Sequence, residues 1–251
     1  MKAKILLALL LLPCLLLAQY DYGFDFAKTG SGGLQFLKIG VGARESAMGE
    51  AVAGDVKDVN AVFWNPAGLA YATRYQASFS HNTWLVNSRQ IAAAVAIPFK
   101  TFTVALSALS FAIDDFEETT VTHPEGTGRM VSAGDMMIGL SAARMFTDKL
   151  SIGGQVKYVN EKLDNYSINN VLFDIGALYY TGFRNLRLAF SLQHFGPDME
   201  LVDQEYRTPL LFRINATDEL YKSEEMAWTL GAELVHPTDN VEIVNIGTEL
   251  Q

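Results

Sequence analysis

The chain has a single cysteine, Cys14, in 251 residues. It lies in an apolar run at the extreme N-terminus, so the sequence beyond that run has none. That excludes a disulfide framework, a thiolate metal centre and a cysteine nucleophile. Charged residues are also sparse, at 19% against the usual share of about a quarter. Excess positive charge is missing too: the net charge is −9, which argues against a nucleic-acid partner held through its phosphates. Long hydrophobic runs are absent beyond residue 18, and none approaches the roughly 20 residues that a membrane helix needs. Catalytic signatures are lacking as well. There is no Ser/His/Asp arrangement, no phosphate loop and no carboxylate pair in an inferred cleft. His81, His123, His194 and His236 lie on separate segments without metal-ligand spacing. The expectation is of no catalytic residue, no metal, no cofactor and no enzymatic activity.

What is present begins with Met1-Lys2-Ala3-Lys4, followed by an apolar stretch from Ile5 to Leu17 and then Ala18. A charged start, an apolar centre and a small residue read as a secretory signal peptide over 1–18, cut after Ala18. A lipoprotein would use Cys14, but Pro13 before it and Leu15-Leu16-Leu17 after it argue against that. The hydrophobic fraction is 49%. An exported, apolar-leaning chain without helical spans points to an outer-membrane β-barrel, with a soluble periplasmic β-domain as the rival.

From residue 75 the pattern takes period two. Ten strands are expected, at 75–84, 88–97, 102–113, 135–145, 150–161, 171–181, 186–195, 210–216, 227–235 and 241–250. In the seventh, Leu186, Leu188, Phe190 and Leu192 share one face, and Arg187, Ala189, Ser191 and Gln193 the other. The eighth sets Leu210, Phe212 and Ile214 against Arg213 and Asn215. The fourth sets Met136, Ile138, Leu140 and Ala142 against Met137, Gly139, Ser141 and Ala143. The ninth sets Trp228, Leu230 and Leu234 against Thr229, Gly231 and Glu233. Segments of about ten residues with one apolar and one small-or-polar face are the barrel signature, apolar side to lipid and polar side to the lumen.

The joints alternate between short (98–101, 146–149, 182–185) and long (114–134, 162–170, 196–209), as tight periplasmic turns and long outer loops do. Phe99, Phe146, Tyr179, Tyr180, Phe183 and Phe195 stand near strand ends, where an aromatic belt at the lipid boundary is expected. The sequence stops inside an expected strand at Glu249-Leu250-Gln251. An open edge in lipid leaves backbone groups unpaired. Missing sequence of roughly four strands is therefore expected, with a closed ten-stranded barrel as the alternative. Before the strands, 20–33 is Gly-, Asp- and aromatic-rich. Residues 34–71 hold helical patches at 43–48 and 56–63 and close on the turn Asn65-Pro66-Ala67-Gly68.

Two blocks carry a resemblance. The first, 36–51, contains Gly42-Ala43-Arg44 and Ala47-Met48-Gly49. The second, 59–70, contains Trp64-Asn65-Pro66-Ala67-Gly68-Leu69. Together, in this order and after a signal peptide, they resemble the PorV/PorQ family of outer-membrane proteins, itself related to FadL-type fatty-acid transporters. Val235-His236-Pro237-Thr238-Asp239-Asn240 running into 245–249 resembles a late hairpin of that family. The resemblance implies a fourteen-stranded barrel whose lumen is blocked by an N-terminal plug, here 19–72, with the barrel over 73–251. It implies outer-membrane lipid as the surroundings. Its PorV-like members receive cargo at the type IX secretion translocon and deliver it to a surface attachment complex. Its FadL-like relatives pass hydrophobic small molecules. The chain is shorter than that barrel.

The expected plug residues are therefore Gly42, Ala43, Arg44, Met48, Gly49, Trp64, Asn65, Pro66, Ala67 and Gly68. Asn65 is expected to bond the wall or to hold its own turn, and Trp64 to pack plug against wall. Lys157, Asp174, Arg187, Arg213 and Glu233 are expected to face the lumen, where Arg44 or Glu45 could pair with them. Ionised groups there need partners or water. Asp114, Asp115, Glu117 and Glu118 could take calcium, but read more simply as a solvated face. Glycines 139, 153, 154 and 176 are candidate wall irregularities.

Overall fold

The computed structural model describes residues 31–201 and 204–251. The expected signal peptide and most of the 20–33 stretch lie outside them. The chain from residue 76 onward is all-β, and its strands pair antiparallel with one another. Its main sheet contains β1 (Gln76–Thr83), β2 (Arg89–Pro98), β3 (Thr103–Glu117), β4 (Met130–Met145), β5 (Leu150–Leu163), β6 (Tyr166–Tyr180) and β7 (Arg187–Phe195). A small hairpin, β8 (Met199–Leu201) with β9 (Gln204–Tyr206), interrupts the sequence. The main sheet resumes with β10 (Leu211–Lys222), β11 (Ala227–Pro237) and β12 (Ile243–Leu250). Sequence neighbours are spatial neighbours across all ten strands, as short antiparallel connections require.

All ten expected strands are present, and the four in which the sequence separates two faces do so in space. Arg187, Ala189, Ser191 and Gln193 are buried, as are Arg213, Asn215, Met137, Ser141, Ala143 and Glu233. Their neighbours Leu188, Phe190, Ile214, Ile138, Leu140, Leu230 and Leu234 are exposed. The outer face continues the same way from Phe79 in β1 to Ile246 in β12. An apolar surface this extensive does not suit a water-soluble monomer. No helix among the described residues is long and apolar enough to cross a membrane.

The inner face is covered by the segment before β1. It comprises a 3-10 turn at Gln35–Lys38, a short helix at Ala43–Ala47, another at Ala61–Trp64 and a 3-10 stretch at Pro66–Tyr71. The first expected helical patch forms. Of the second, only its last residues do. Two adjacent residues of this segment measure the curvature of the sheet. The carbonyl of Ile39 accepts from Gln90 in β2, while Lys38 binds Asp239 in the β11–β12 turn. In a flat sheet those strands would stand roughly 34 Å apart. The sheet therefore curls around the segment. It does not close: β1 and β12 are its two edges, so the closed ten-stranded alternative is not what forms.

Packing explains the fit. The segment contributes large apolar groups (Met48, Val52, Val62, Trp64, Leu69) and the strands opposite contribute Ala94, Ala96, Ala105 and Ala143. A second cluster joins Leu34, Phe36 and Val41 to Leu109, Met137, Val159 and Leu172, with Met199 of β8 folded over it.

Two expectations about the ends of the sheet are corrected. The region 162–170 is not a long loop, because β5 and β6 run on to a tight turn at 164–165, where Asp164 takes a positive φ of 56°. Tyr180 does not join an outer belt. It turns inward and lies against Tyr71, with ring centroids 5.7 Å apart and planes tilted by 52°, whereas Phe99, Phe146, Tyr179, Phe183 and Phe195 are exposed.

Candidate functional site

The inner face and the segment against it form one polar network with an apolar floor. At its centre Lys157 Nζ lies 2.5 Å from Asp174 Oδ2 and 3.0 Å from His194 Nδ1. Asp174 Oδ1 accepts from the His194 backbone N–H at 2.8 Å. All three side chains are buried. The backbone of His194 has φ 63°, where β6 and β7 shift register between Phe173 and Ile175. Such an irregularity re-aims a side chain inward.

Beside this cluster, Arg213 donates to Glu233 at 2.7 Å and to Gln193 at 2.9 Å. Its guanidinium stands 5.3 Å from the centre of the Trp64 ring, within cation–π reach. The second Glu233 oxygen accepts from Asn215 at 2.9 Å and from the Ala53 backbone N–H at 3.1 Å. Gln193 donates to the Phe63 carbonyl. With its amide nitrogen turned toward Val62, Gln155 donates to that carbonyl at 2.8 Å and to Asp174 at 3.2 Å. Strand side chains thus satisfy backbone groups of the segment, which could not otherwise be buried without cost.

The residues singled out from the sequence occupy defined places. Asn65 is fully buried. Its Nδ2 donates to Ala53 and, across the interface, to Ala177 of β6, and its Oδ1 accepts from Ala67. Pro66 follows at the first position of its 3-10 stretch, where a missing N–H costs nothing. The Trp64 indole donates to Val41 at 2.9 Å, so it ties the first motif block to the second. Met48, Ala51, Pro66 and Ala67 approach the strands by backbone and glycines receive them, while Gly49 itself lies against the Ile246 carbonyl. A Cβ at Gly247 would stand 1.9 Å from the Met48 carbonyl oxygen, and one at Gly231 would stand 2.4 Å from that of Ala51. At Gly153 it would meet Pro66 and Ala67 backbone atoms at 2.4–2.6 Å, and at Gly176 it would meet Asn65 Oδ1 at 2.0 Å. Gly68 sits against Val56 in the same way, and Gly42 adopts φ 102°. Ala43 opens the helix carrying Arg44 and Glu45.

Arg44 pairs with none of the five expected inward residues directly. It binds Glu249 of β12 at 2.6 Å and Asp55, and Asp55 in turn binds Arg187 at 2.7 Å. Arg187 also reaches Glu219 at 3.1 Å. Its carboxylate partner Glu249 holds Arg44 firmly protonated, with a raised pKa despite burial. Burial alone would push Asp55 up, but Arg187 and Arg44 outweigh it and lower its pKa. Glu45 instead has its pKa raised by burial, and it accepts from Asn60 at 3.3 Å. At the other end Lys38 and Gln35 both donate to Asp239. They lower its pKa against the opposing effect of burial.

Sequence reasoning missed His194, Asp239, Asp55 and Glu249. By period two His194 continues the outward face of its strand, Asp55 sits in an irregular segment, and Asp239 and Glu249 fell within the late-hairpin block, which gave them no partner. Of the acidic run, Asp114 faces Arg89, Glu118 faces Arg129, and Glu117 accepts from Gly128. Among the described residues no three of His, Cys, Asp and Glu converge as metal ligands.

These features define an all-β chain built on one curled, antiparallel, barrel-like sheet with an apolar outer face. No protein-family model matches the sequence, and no curated protein does. Among solved structures, the chain is similar to outer-membrane expressed OmpT of Vibrio cholerae. The identity is 9% and the TM-score 0.45, over 71% of this chain and 61% of that one. It is similar also to in-vitro folded OmpT, an outer membrane protein of Vibrio cholerae, at 9% identity and TM-score 0.44, over 71% and 60%. The chain spans about three fifths of the length of these structures. The likeness is one of architecture and does not bear on the PorV/PorQ resemblance. The expectation of a non-enzyme is corrected. It rested only on finding no chemical constellation along the sequence, an absence that does not exclude activity, and the structure brings Lys157, Asp174 and His194 together from three strands.

Proposed function

We propose that the chain is an outer-membrane β-barrel protein of PorV type, binding secreted cargo and passing it to surface attachment machinery. The segment 34–72 acts as its plug, and Lys157, Asp174, Arg187, Arg213 and Glu233 line its lumen. One observation carries the reading: both motif blocks fold into a single body seated on the inner face of a sheet whose outer face is apolar. The space left between them near Trp64 and Lys157 is only about 20 Å³, so this region offers no conducting path. A filled interior favours binding at the rim over flow through the centre. The loop 118–129 and the stretch that follows β7 stand at the end opposite the turns 99–102, 146–149 and 181–186, the end that faces outward in such barrels.

The test has two stages. Membrane fractionation with heat-modifiable gel migration should place the protein in the outer membrane as a folded barrel. Affinity purification from the native envelope should then recover proteins bearing type IX carboxy-terminal signals. A water-soluble, heat-insensitive protein would remove the barrel. A folded barrel without such cargo would remove the secretion role.

A second reading, passive uptake of hydrophobic small molecules, is favoured by one specific observation. A cavity of about 370 Å³ with mostly apolar walls lies between the start of the segment and β3–β5.

A further inference from the structure

That cavity has a chemical polarity of its own. Its walls are Leu34, Phe36, Trp84, Phe111, Ile113 and Leu163. Leu34 and Phe36 are buried in the segment, while Trp84 is 44% exposed at the rim, so the cavity opens toward the long-loop end. Its volume falls in the range of about 300–1,000 Å³ usual for small-molecule sites.

Two carboxylates, Asp135 and Glu161, project into it. They are direct cross-strand partners of β4 and β5 on the inward-facing side, where opposed like charges repel. Glu161 spends one oxygen on the Leu34 backbone N–H at 2.9 Å. Asp135 makes no hydrogen bond or ion pair among the described residues, and no Lys, Arg or His lines the cavity. Three other carboxylates of the interior are answered by a cation of the chain: Asp174 by Lys157, Glu233 by Arg213 and Asp55 by Arg187. This pair is not, and a cation from outside the chain would answer it. A metal ion is poorly served, because calcium takes about six to eight oxygens and the only other oxygen-bearing side chain in the lining is Gln35. A protonated amine on an alkyl chain satisfies both halves: the ammonium meets the carboxylates and the chain fills the apolar space.

We propose that this cavity binds single-chain amphiphiles with a protonated amine head, and selects them over fatty-acid anions. The inference rests on the second reading above and names its ligand class. Charge-assisted bonding to Asp135 supplies the preference, and the apolar walls supply affinity without regard to head group.

The test uses the full chain refolded into phosphatidylcholine nanodiscs, with heat-modifiable migration as the check of folding. Dodecylamine hydrochloride and sodium laurate are titrated by calorimetry, with empty nanodiscs subtracted. Saturable dodecylammonium binding is expected, at least about tenfold tighter than laurate. Asp135→Asn should weaken the amine about tenfold and leave laurate unchanged or improved. Ala133→Phe, which fills the cavity from its own wall, should abolish both, and it decides the matter should the Asn variant fail to fold. Laurate binding as tightly as the amine would overturn the proposal while leaving hydrophobic uptake standing. Binding of neither would overturn both. Amine binding unchanged in both variants would place it elsewhere and overturn the site.

Discussion

The seating of the segment depends on glycines whose missing side chains leave room for backbone, and adjacent Gly153 and Gly154 allow a controlled test. A Cβ at Gly153 would come within 2.4–2.6 Å of Pro66 C, Pro66 O and Ala67 N. These are backbone atoms inside the Asn65–Pro66 turn, which is held by its own hydrogen bonds, so they cannot swing aside as a side chain can. Reaching ordinary contact requires a shift of about 1 Å, and overpacking of this kind costs typically 1–3 kcal/mol. A Cβ at Gly154 points to the other face and meets nothing nearer than 3.6 Å. Gly153→Ala should therefore lower stability in urea unfolding by about 1–3 kcal/mol and speed protease cleavage within 34–72. Gly154→Ala should be neutral or slightly stabilising, since Ala loses less chain entropy on folding than Gly. Equal effects at the two positions would refute the packing argument, because strand propensity alone treats them alike.

Other consequences follow from single contacts. Asn65→Asp should be worse than Asn65→Ala, which should itself cost about 1–3 kcal/mol. The acid keeps the acceptor for Ala67 but sets oxygen against the carbonyls of Ala53 and Ala177, and urea midpoints of the two variants give the order. Arg213→Met should cost about 3–5 kcal/mol, as loss of one partner from a buried pair does. Glu233→Gln should cost less, because its amide oxygen can still accept from Asn215 and Ala53. The same unfolding experiment separates them. The Asp239 pKa is lowered in the fold by Lys38 and Gln35, which outweigh burial. Its contribution is therefore fully present above the unfolded aspartate pKa of about 3.9 and disappears as pH falls through the lower folded value. Asp239→Asn should destabilise at pH 7, and its deficit against wild type should shrink below about pH 4. A deficit that does not change with pH would show that the carboxylate charge is not what holds Lys38.

Strand positions and faces were legible from the residues alone, because a β-strand in a two-faced sheet must alternate. Leu188-Ala189-Phe190-Ser191 writes that alternation into the chain, and the buried positions of β7 follow it. The inward placement of Lys157, Arg187, Arg213 and Glu233 follows from the same period, as does the identity of Asn65 and Gly68 as turn residues. Their partners were not legible. Arg44 meets Glu249 across 205 positions, and Lys38 meets Asp239 across 201. Nothing local encodes a contact made only once the sheet has curled. His194 looked isolated because its neighbours Lys157 and Asp174 belong to two other strands, and because a register shift aims it inward. The glycine seats show the same division. Their positions could be read in the sequence, but their purpose is the close approach of Met48, Ala51 and Pro66, which comes into being only with the packed interior. Periodicity carries the face of each residue, since it is a property of neighbouring backbone units. Pairing across the interior belongs to the folded chain, since it depends on curvature and register that no single strand contains.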